Sequence, residues 1–274
     1  MPMPLKKRKH RIQRTMILWF VAMALIPMVM VAWVSYSIGS DSLKKMASNE
    51  LHQTSGNLTT SLTNWFEYRL MDVNNHAMQL HNAELLEYLL TGFQQSGLPL
   101  GKYVNTEQWL NDLKGQSLEL ENTKSQYDFI EDVLLIDKQG NILFTTNRGR
   151  DLGKNLFDSL LAKSRLTESF SRVLDENKPR FSDIHLYQPD DNRVTTFLLS
   201  ALNNRQDELV GVIALKVRLD PVFKQLVKQE GNTSITNYLV GMDGKLRSPV
   251  EGKNILVTEV DNEEFLSWRQ HVVA

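Results

Sequence analysis

The 274-residue sequence predicts an α+β chain, in which an N-terminal transmembrane helix and a long second helical stretch lead into antiparallel-sheet modules. Three observations predict it. Residues 15–40, TMILWFVAMALIPMVMVAWVSYSIGS, contain no charged side chain. Residues 41–90 repeat apolar positions at helical steps, and from Tyr127 onward short apolar runs alternate with turn chemistry.

The apolar stretch comes first. A helix rises about 1.5 Å per residue, so roughly 20 residues cross the hydrocarbon core of a bilayer. Lys6, Lys7, Arg8, Lys9, Arg11 and Arg14 precede it. Basic residues stay on the cytoplasmic side, so residues 1–14 are expected to be a cytoplasmic tail and everything after residue 40 extracytoplasmic or periplasmic. A cleaved signal peptide is the alternative. Its apolar region is usually about 7–15 residues long and ends in small residues, whereas this one is longer and runs out through Trp33 and Tyr36. Pro27 is compatible with a span. The expectation is a permanent anchor in the cell inner membrane, and no second run of comparable length follows.

Charge supports that topology. Six of the 31 Lys and Arg residues lie in the tail, leaving 25 against 32 Asp and Glu in the rest of the chain. A mildly acidic domain of mixed sign excludes nucleic acid as the expected partner. With no cysteine, thiolate catalysis and thiolate metal ligation are excluded.

Residues 41–90 read as one long helix, with Leu51, Leu58, Leu62, Trp65, Val73, Ala77 and Leu80 on a stripe. Two shorter helices meeting near Gly56 or Asn74 are the alternative. A helix this long is expected to pack against a copy of itself, making a homodimer, or to form the spine of a domain. Residues 92–105 read as a loop, and 107–120 as a helix with Trp109 and Leu113 inward. Strands are expected at 129–137 and 141–146, joined by the turn Lys138-Gln139-Gly140. A helix follows at about 156–174. Strands at 180–187, 193–202 and 208–217, with short polar turns, should form an antiparallel meander. A short helix begins at Asp220 with proline in its first turn.

One repeat is visible. LLIDKQGNILFT (134–145) and YLVGMDGKLRSP (238–249) align with Gly140 on Gly244 and Ile142 on Leu246. A coincidental hairpin is the bland reading and a duplicated module the other. Residues 91–230 would then form a membrane-distal module and 231–274 part of a membrane-proximal one, with a helix near 259–268.

At these residues the sequence resembles the double Cache sensor domain of bacterial transmembrane receptors. The resemblance covers residues 16–268. It rests on the apolar span with TNWFEYRLMDV, the hairpin VLLIDKQGNILFTT, the meander RFSDIHLYQPDDNRVTTFLLSALNNRQDELVGVIALKVRLDPV and, most specifically, YLVGMDGKLRS. It implies two stacked PAS-like modules on a long, often dimeric helix, a small ligand in the distal module, and an output of histidine-kinase or chemoreceptor type. The Arg-x-Trp-Tyr cluster of amino-acid-binding members is absent, since LTESFSRVLDENKPRF stands there. The return span and output domain of such receptors are also absent. The expectation is the sensing region of a receptor, truncated within the second module; a complete membrane-anchored adaptor is the alternative.

No catalytic constellation is legible: His76 and His81 are five apart, and there is no phosphate loop, GxSxG or HExxH. Neither a metal nor a cofactor is expected. A ligand pocket needs an apolar concavity with a few directed polar groups. Alternation along 180–187 places Phe181, Asp183, His185 and Tyr187 on one strand face. With Phe197 of the neighbouring strand, Asp183 and Tyr187 would supply an anion, a phenol and an aromatic wall. Arg148 or Arg150 at the loop could meet a ligand carboxylate; for each of these residues the alternative is a surface salt bridge or a core aromatic. Asp243 and Arg247 are expected to fix the second hairpin.

Overall fold

The computed structural model describes residues 6–158, 160–227 and 237–260. It divides into two units, residues 1–59 and 60–274. The first unit is helical and contains a stretch apolar enough to cross a membrane, with none of that stretch buried. Helix α1 spans Lys6–Met78, passing Pro27 and Gly56 without a break.

The second unit is an α+β domain with an open antiparallel sheet. After α1 come α2 (Leu80–Ser96), α3 (Leu100–Tyr103), α4 (Glu107–Leu113) and α5 (Leu118–Gln126). Strands β1 (Ile130–Asp137) and β2 (Ile142–Thr145) form the expected hairpin, and α6 (Arg165–Glu176) follows. Then come β3 (Arg180–Phe181), β4 (His185–Tyr187), β5 (Arg193–Asn203), β6 (Leu209–Val217) and α7 (Asp220–Val227). The sheet order is β2-β1-β6-β5-β3, with β4 also on β5, so the expected meander is present.

Both sheet faces are covered, which explains why β1, β5 and β6 read as continuous apolar runs. On the first face Val133, Leu135, Leu198, Ile213 and Leu215 meet α2 through Leu85, Leu86 and Leu89, with Trp109 and Val73. On the second, Leu134, Ile136, Phe197, Leu199, Val212 and Ala214 meet Leu166, Phe170 and Val173 of α6.

Four expectations are corrected. The long helix breaks at Gln79, not Gly56 or Asn74: Asn82 donates its side-chain amide to the His76 carbonyl (2.7 Å), and Gln79 turns to ψ 108°. The loop at 92–105 is mostly helical. Gly92 lies inside α2 because Tyr103 leaves no room there, a Cβ falling 2.5 Å from its hydroxyl; Gly97, at φ 60°, ends the helix. The 107–120 helix is two, α4 and α5, although Trp109 and Leu113 are buried as expected. The 156–174 helix starts only at Arg165. Ser164 caps it by accepting from the Thr167 amide (3.2 Å), while the Thr167 hydroxyl holds the preceding turns through the carbonyls of Leu156 (3.1 Å) and Leu161 (2.8 Å).

The expected strand 180–187 is also wrong, and the consequence reaches the site. Phe181 pairs with Leu198, but Tyr187 pairs with Arg193, so one extra residue intervenes between β3 and β4. A one-residue bulge exchanges faces. Phe181 therefore packs on the first-face core and Tyr187 on the second.

The second hairpin repeats three backbone bonds of the first, 104 residues later. Asp137 N–H donates to Asn141 C=O (3.1 Å) and Gly241 N–H to Lys245 C=O (2.9 Å). Ile142 donates to Lys154 (2.9 Å) and Leu246 to Thr258 (3.0 Å); Leu156 donates to Gly140 and Val260 to Gly244, both at 2.8 Å. Gly140 and Gly244 both hold φ 83°, a conformation that favours glycine. The helix expected at 259–268 lies outside the described residues beyond Val260.

Candidate functional site

Tyr187 and Phe197 come together on the second sheet face, ring centroids 5.0 Å apart. Position explains this: β4 and β5 are neighbours, and both residues share the face that α6 covers. The phenol is buried and donates to Asp151 Oδ2 (2.9 Å) from the 148–153 loop. Burial pushes the Tyr187 hydroxyl well up, reinforced by the Asp151 carboxylate beside it. Burial also pushes the Asp151 carboxyl up, against the opposing pull of the Tyr187 hydrogen bond and the Lys216 charge.

Lys216 completes this centre. Its side chain is only 6% exposed, one residue from the end of apolar β6, so a buried ammonium there requires counter-charge. Asp190 supplies it at 2.6 Å, Glu131 lies at 3.6 Å, and the Tyr187 ring is 5.8 Å away. Burial works to raise the Asp190 carboxyl, but Lys216 and Arg193 hold it below its ordinary range. Arg193 also reaches Glu131 (3.1 Å). Asp132 stands close by, accepting from Thr146 Oγ1 (2.6 Å) and the Asn147 amide (2.9 Å); burial still raises its carboxyl. Four acidic side chains, Glu131, Asp132, Asp151 and Asp190, thus stand against two basic ones, Lys216 and Arg193.

The other expected residues are elsewhere. Arg150 follows the same loop but pairs twice with Asp191 at 2.7 Å, both side chains mostly exposed. Arg148, at φ 50°, places its guanidinium 5.6 Å from the Trp109 ring and lines a cavity of about 340 Å³ with Lys114 and Glu121. Asp183 sits in the β3–β4 bulge and binds Arg247 of the second hairpin through both oxygens (2.9 and 2.8 Å). Arg247 also meets Asp243 (3.0 Å), as expected of a hairpin-fixing pair. Gly241 makes room for it, since a Cβ there would lie 2.3 Å from the guanidinium carbon.

Sequence reasoning missed Asp151, Asp190 and Lys216. Lys216 had a legible signal, a single charge inside the apolar run LVGVIALKV; Asp151 had none beyond a polar loop. Among the described residues, no group of three or more metal-capable side chains is placed to hold an ion.

No family model and no curated protein matches the chain. Solved structures do. The sensor domain of the V. cholerae histidine kinase DctB is 13% identical, with 66% of this chain and 59% of that one covered and a TM-score of 0.48. The ligand-binding domain of the Pseudomonas fluorescens chemoreceptor CtaA, in complex with L-serine, is 10% identical over 78% and 77%, with a TM-score of 0.47. An extracellular ligand binding receptor from Desulfohalobium retbaense DSM5692 is 12% identical, at a TM-score of 0.41. The aligned region takes in 70% of this chain but only 33% of that receptor.

Proposed function

We propose that the chain is the extracytoplasmic, small-ligand-sensing region of a membrane signal-transduction receptor of histidine-kinase or chemoreceptor type, with double Cache organisation. The carrying observation is that a single helix, α1, holds both the membrane-length apolar stretch and the residues Val73 and Ala77 that pack in the sheet domain's core. A sheet rearranged by a solute thereby acts on an element that is itself the anchor. The recurrence of these backbone bonds at 104 residues supports a second module of the same kind, with residues 91–230 as the first and 231–274 belonging to the second.

The solute site is the Tyr187–Asp151–Lys216 centre with Phe197 as its wall and Arg150 at its rim; Arg148 and Asp183 lie apart from it, each in the wall of another cavity. The domain itself is no enzyme: it binds and reports. Binding shifts the sheet only if the solute prefers one arrangement over another. Homodimerisation runs through α1, whose Tyr68, Met71 and Met78 are all at least 60% exposed at helical spacing.

Thermal unfolding of the full chain in nanodiscs, against amines, polyols and carboxylates, tests the reading. A dose-dependent rise in Tm, growing with concentration over Kd and absent in Tyr187→Phe, is the expected outcome. No rise with any class, or an equal rise in the variant, contradicts it.

A further inference from the structure

A cavity of about 450 Å³ lies where the second hairpin meets the β3–β4 bulge. Its walls are apolar: Phe66 of α1, Phe181 and Ile184 of the bulge, and Leu239, Val240 and Met242 of the hairpin. Phe66 and Phe181 stand edge to face, 4.7 Å apart. A polar wall interrupts them, formed by Ser182, Thr196 and the Asp183–Arg247 pair, the Arg247 side chain being 6% exposed. A guanidinium has five N–H donors. Nε and one Nη2 donor go to Asp183, the other Nη2 donor to Asp243, and one Nη1 donor to the Lys245 carbonyl (3.1 Å). Among the described residues, the second Nη1 hydrogen has no protein acceptor.

We infer that this cavity is a second small-molecule site, taking an uncharged aryl or branched-alkyl solute with a single carbonyl or hydroxyl acceptor. The apolar walls hold the body and the remaining Arg247 N–H takes the acceptor. Size permits it, since an apolar cavity of about 150 Å³ already holds benzene. Charge selects it: the Arg247 guanidinium is already met by the carboxylates of Asp183 and Asp243, so an anionic ligand finds no unpaired cation here. The site is separate from the Tyr187 centre, which lies on the other sheet face. A solute here touches the sheet bulge, α1 and the second hairpin at once, the position from which it fixes their arrangement.

The test uses the full chain in nanodiscs with ¹³C-labelled methionine methyls, reading Met242, assigned by its loss in Met242→Leu. Acetophenone is the probe and benzoate its anionic counterpart. Acetophenone is expected to shift the Met242 methyl saturably, and benzoate at least tenfold more weakly. Val240→Trp, which fills the cavity, should weaken the acetophenone response at least tenfold while wild-type Tm is kept. If that variant unfolds early, Ile184→Trp serves in its place. An unsaturable response, an equal response to benzoate, or an unchanged response in a folded cavity-filled variant overturns the proposal. Because the readout is local to Met242, its failure leaves the Tyr187 reading untouched, and the reverse also holds.

Discussion

Asp151 is held in the native state against the preference of a carboxylate for water. Burial raises its carboxyl, so the folded protein binds a proton more readily than the unfolded chain. Its contribution to stability is therefore full below the unfolded carboxylate range and is lost as pH rises through the raised native value. Asp151→Asn cannot ionise and keeps an oxygen to accept from Tyr187. Chemical denaturation should find this variant more stable than wild type at pH 7, with the gain shrinking to nothing as pH falls to about 4. Its solute response should nevertheless be lost, the pattern expected where stability is given up for a binding site. His185 has the opposite sign: burial lowers its imidazole, so its contribution is gained as pH rises towards about 6.5. Arg247 makes a different prediction. Its Asp183 partner is 39% exposed, which tempers the usual penalty for breaking a buried pair. Asp183→Ala should cost about 2–3 kcal/mol, read as a fall in the denaturation midpoint, because Asp243 is then the one carboxylate left to the guanidinium.

At the scale of elements, apolar strands and their order were legible while their interruptions were not. The β1–β2 hairpin and the β5–β6 pair were expected within a residue or two, because a sheet buried on both faces writes itself as uninterrupted apolar runs. The β3–β4 bulge left no such trace. RFSDIHLY alternates acceptably in either register, and only the pairing with β5 shows the slip that takes Asp183 away from Tyr187. The helix break at Gln79 was equally hidden, since Asn82 rather than a glycine or proline makes it. Glycine misled in both directions: Gly56 is passed over inside α1, while Gly92 is there for Tyr103 rather than for a turn. Gly92→Ala should destabilise by about 1–3 kcal/mol, with Tyr103→Phe in the same chain recovering part of that loss because the clashing hydroxyl is gone. Thermal denaturation of the single and double variants against wild type checks both statements.

For the whole molecule, the apolar N-terminal helix, the α+β class and the meander could be read from the sequence, but the side-chain cluster at Tyr187 only in part. The contact of Tyr187 with Phe197 was legible because they lie on adjacent paired strands. Asp151 and Asp190 were not, because the loops that bring them to Lys216 carry no periodicity. The absence of cysteine makes two whole-molecule predictions clean. Met71→Cys should form an oxidised dimer in the membrane, and Ala77→Cys, on the buried face of α1, should not. Lys163→Cys should react with a membrane-impermeant maleimide in intact cells, placing the sheet domain outside; protection until lysis would place it inside.

The central claim is that a small solute is held at the Tyr187–Asp151–Lys216 centre. Titration calorimetry of the best stabilising solute, with the full chain, Asp151→Asn and Val240→Trp, tests it most directly. The account predicts one saturable site in wild type and Val240→Trp, and no measurable binding in folded Asp151→Asn. Equal affinity in all three proteins, or binding lost only in Val240→Trp, would contradict it.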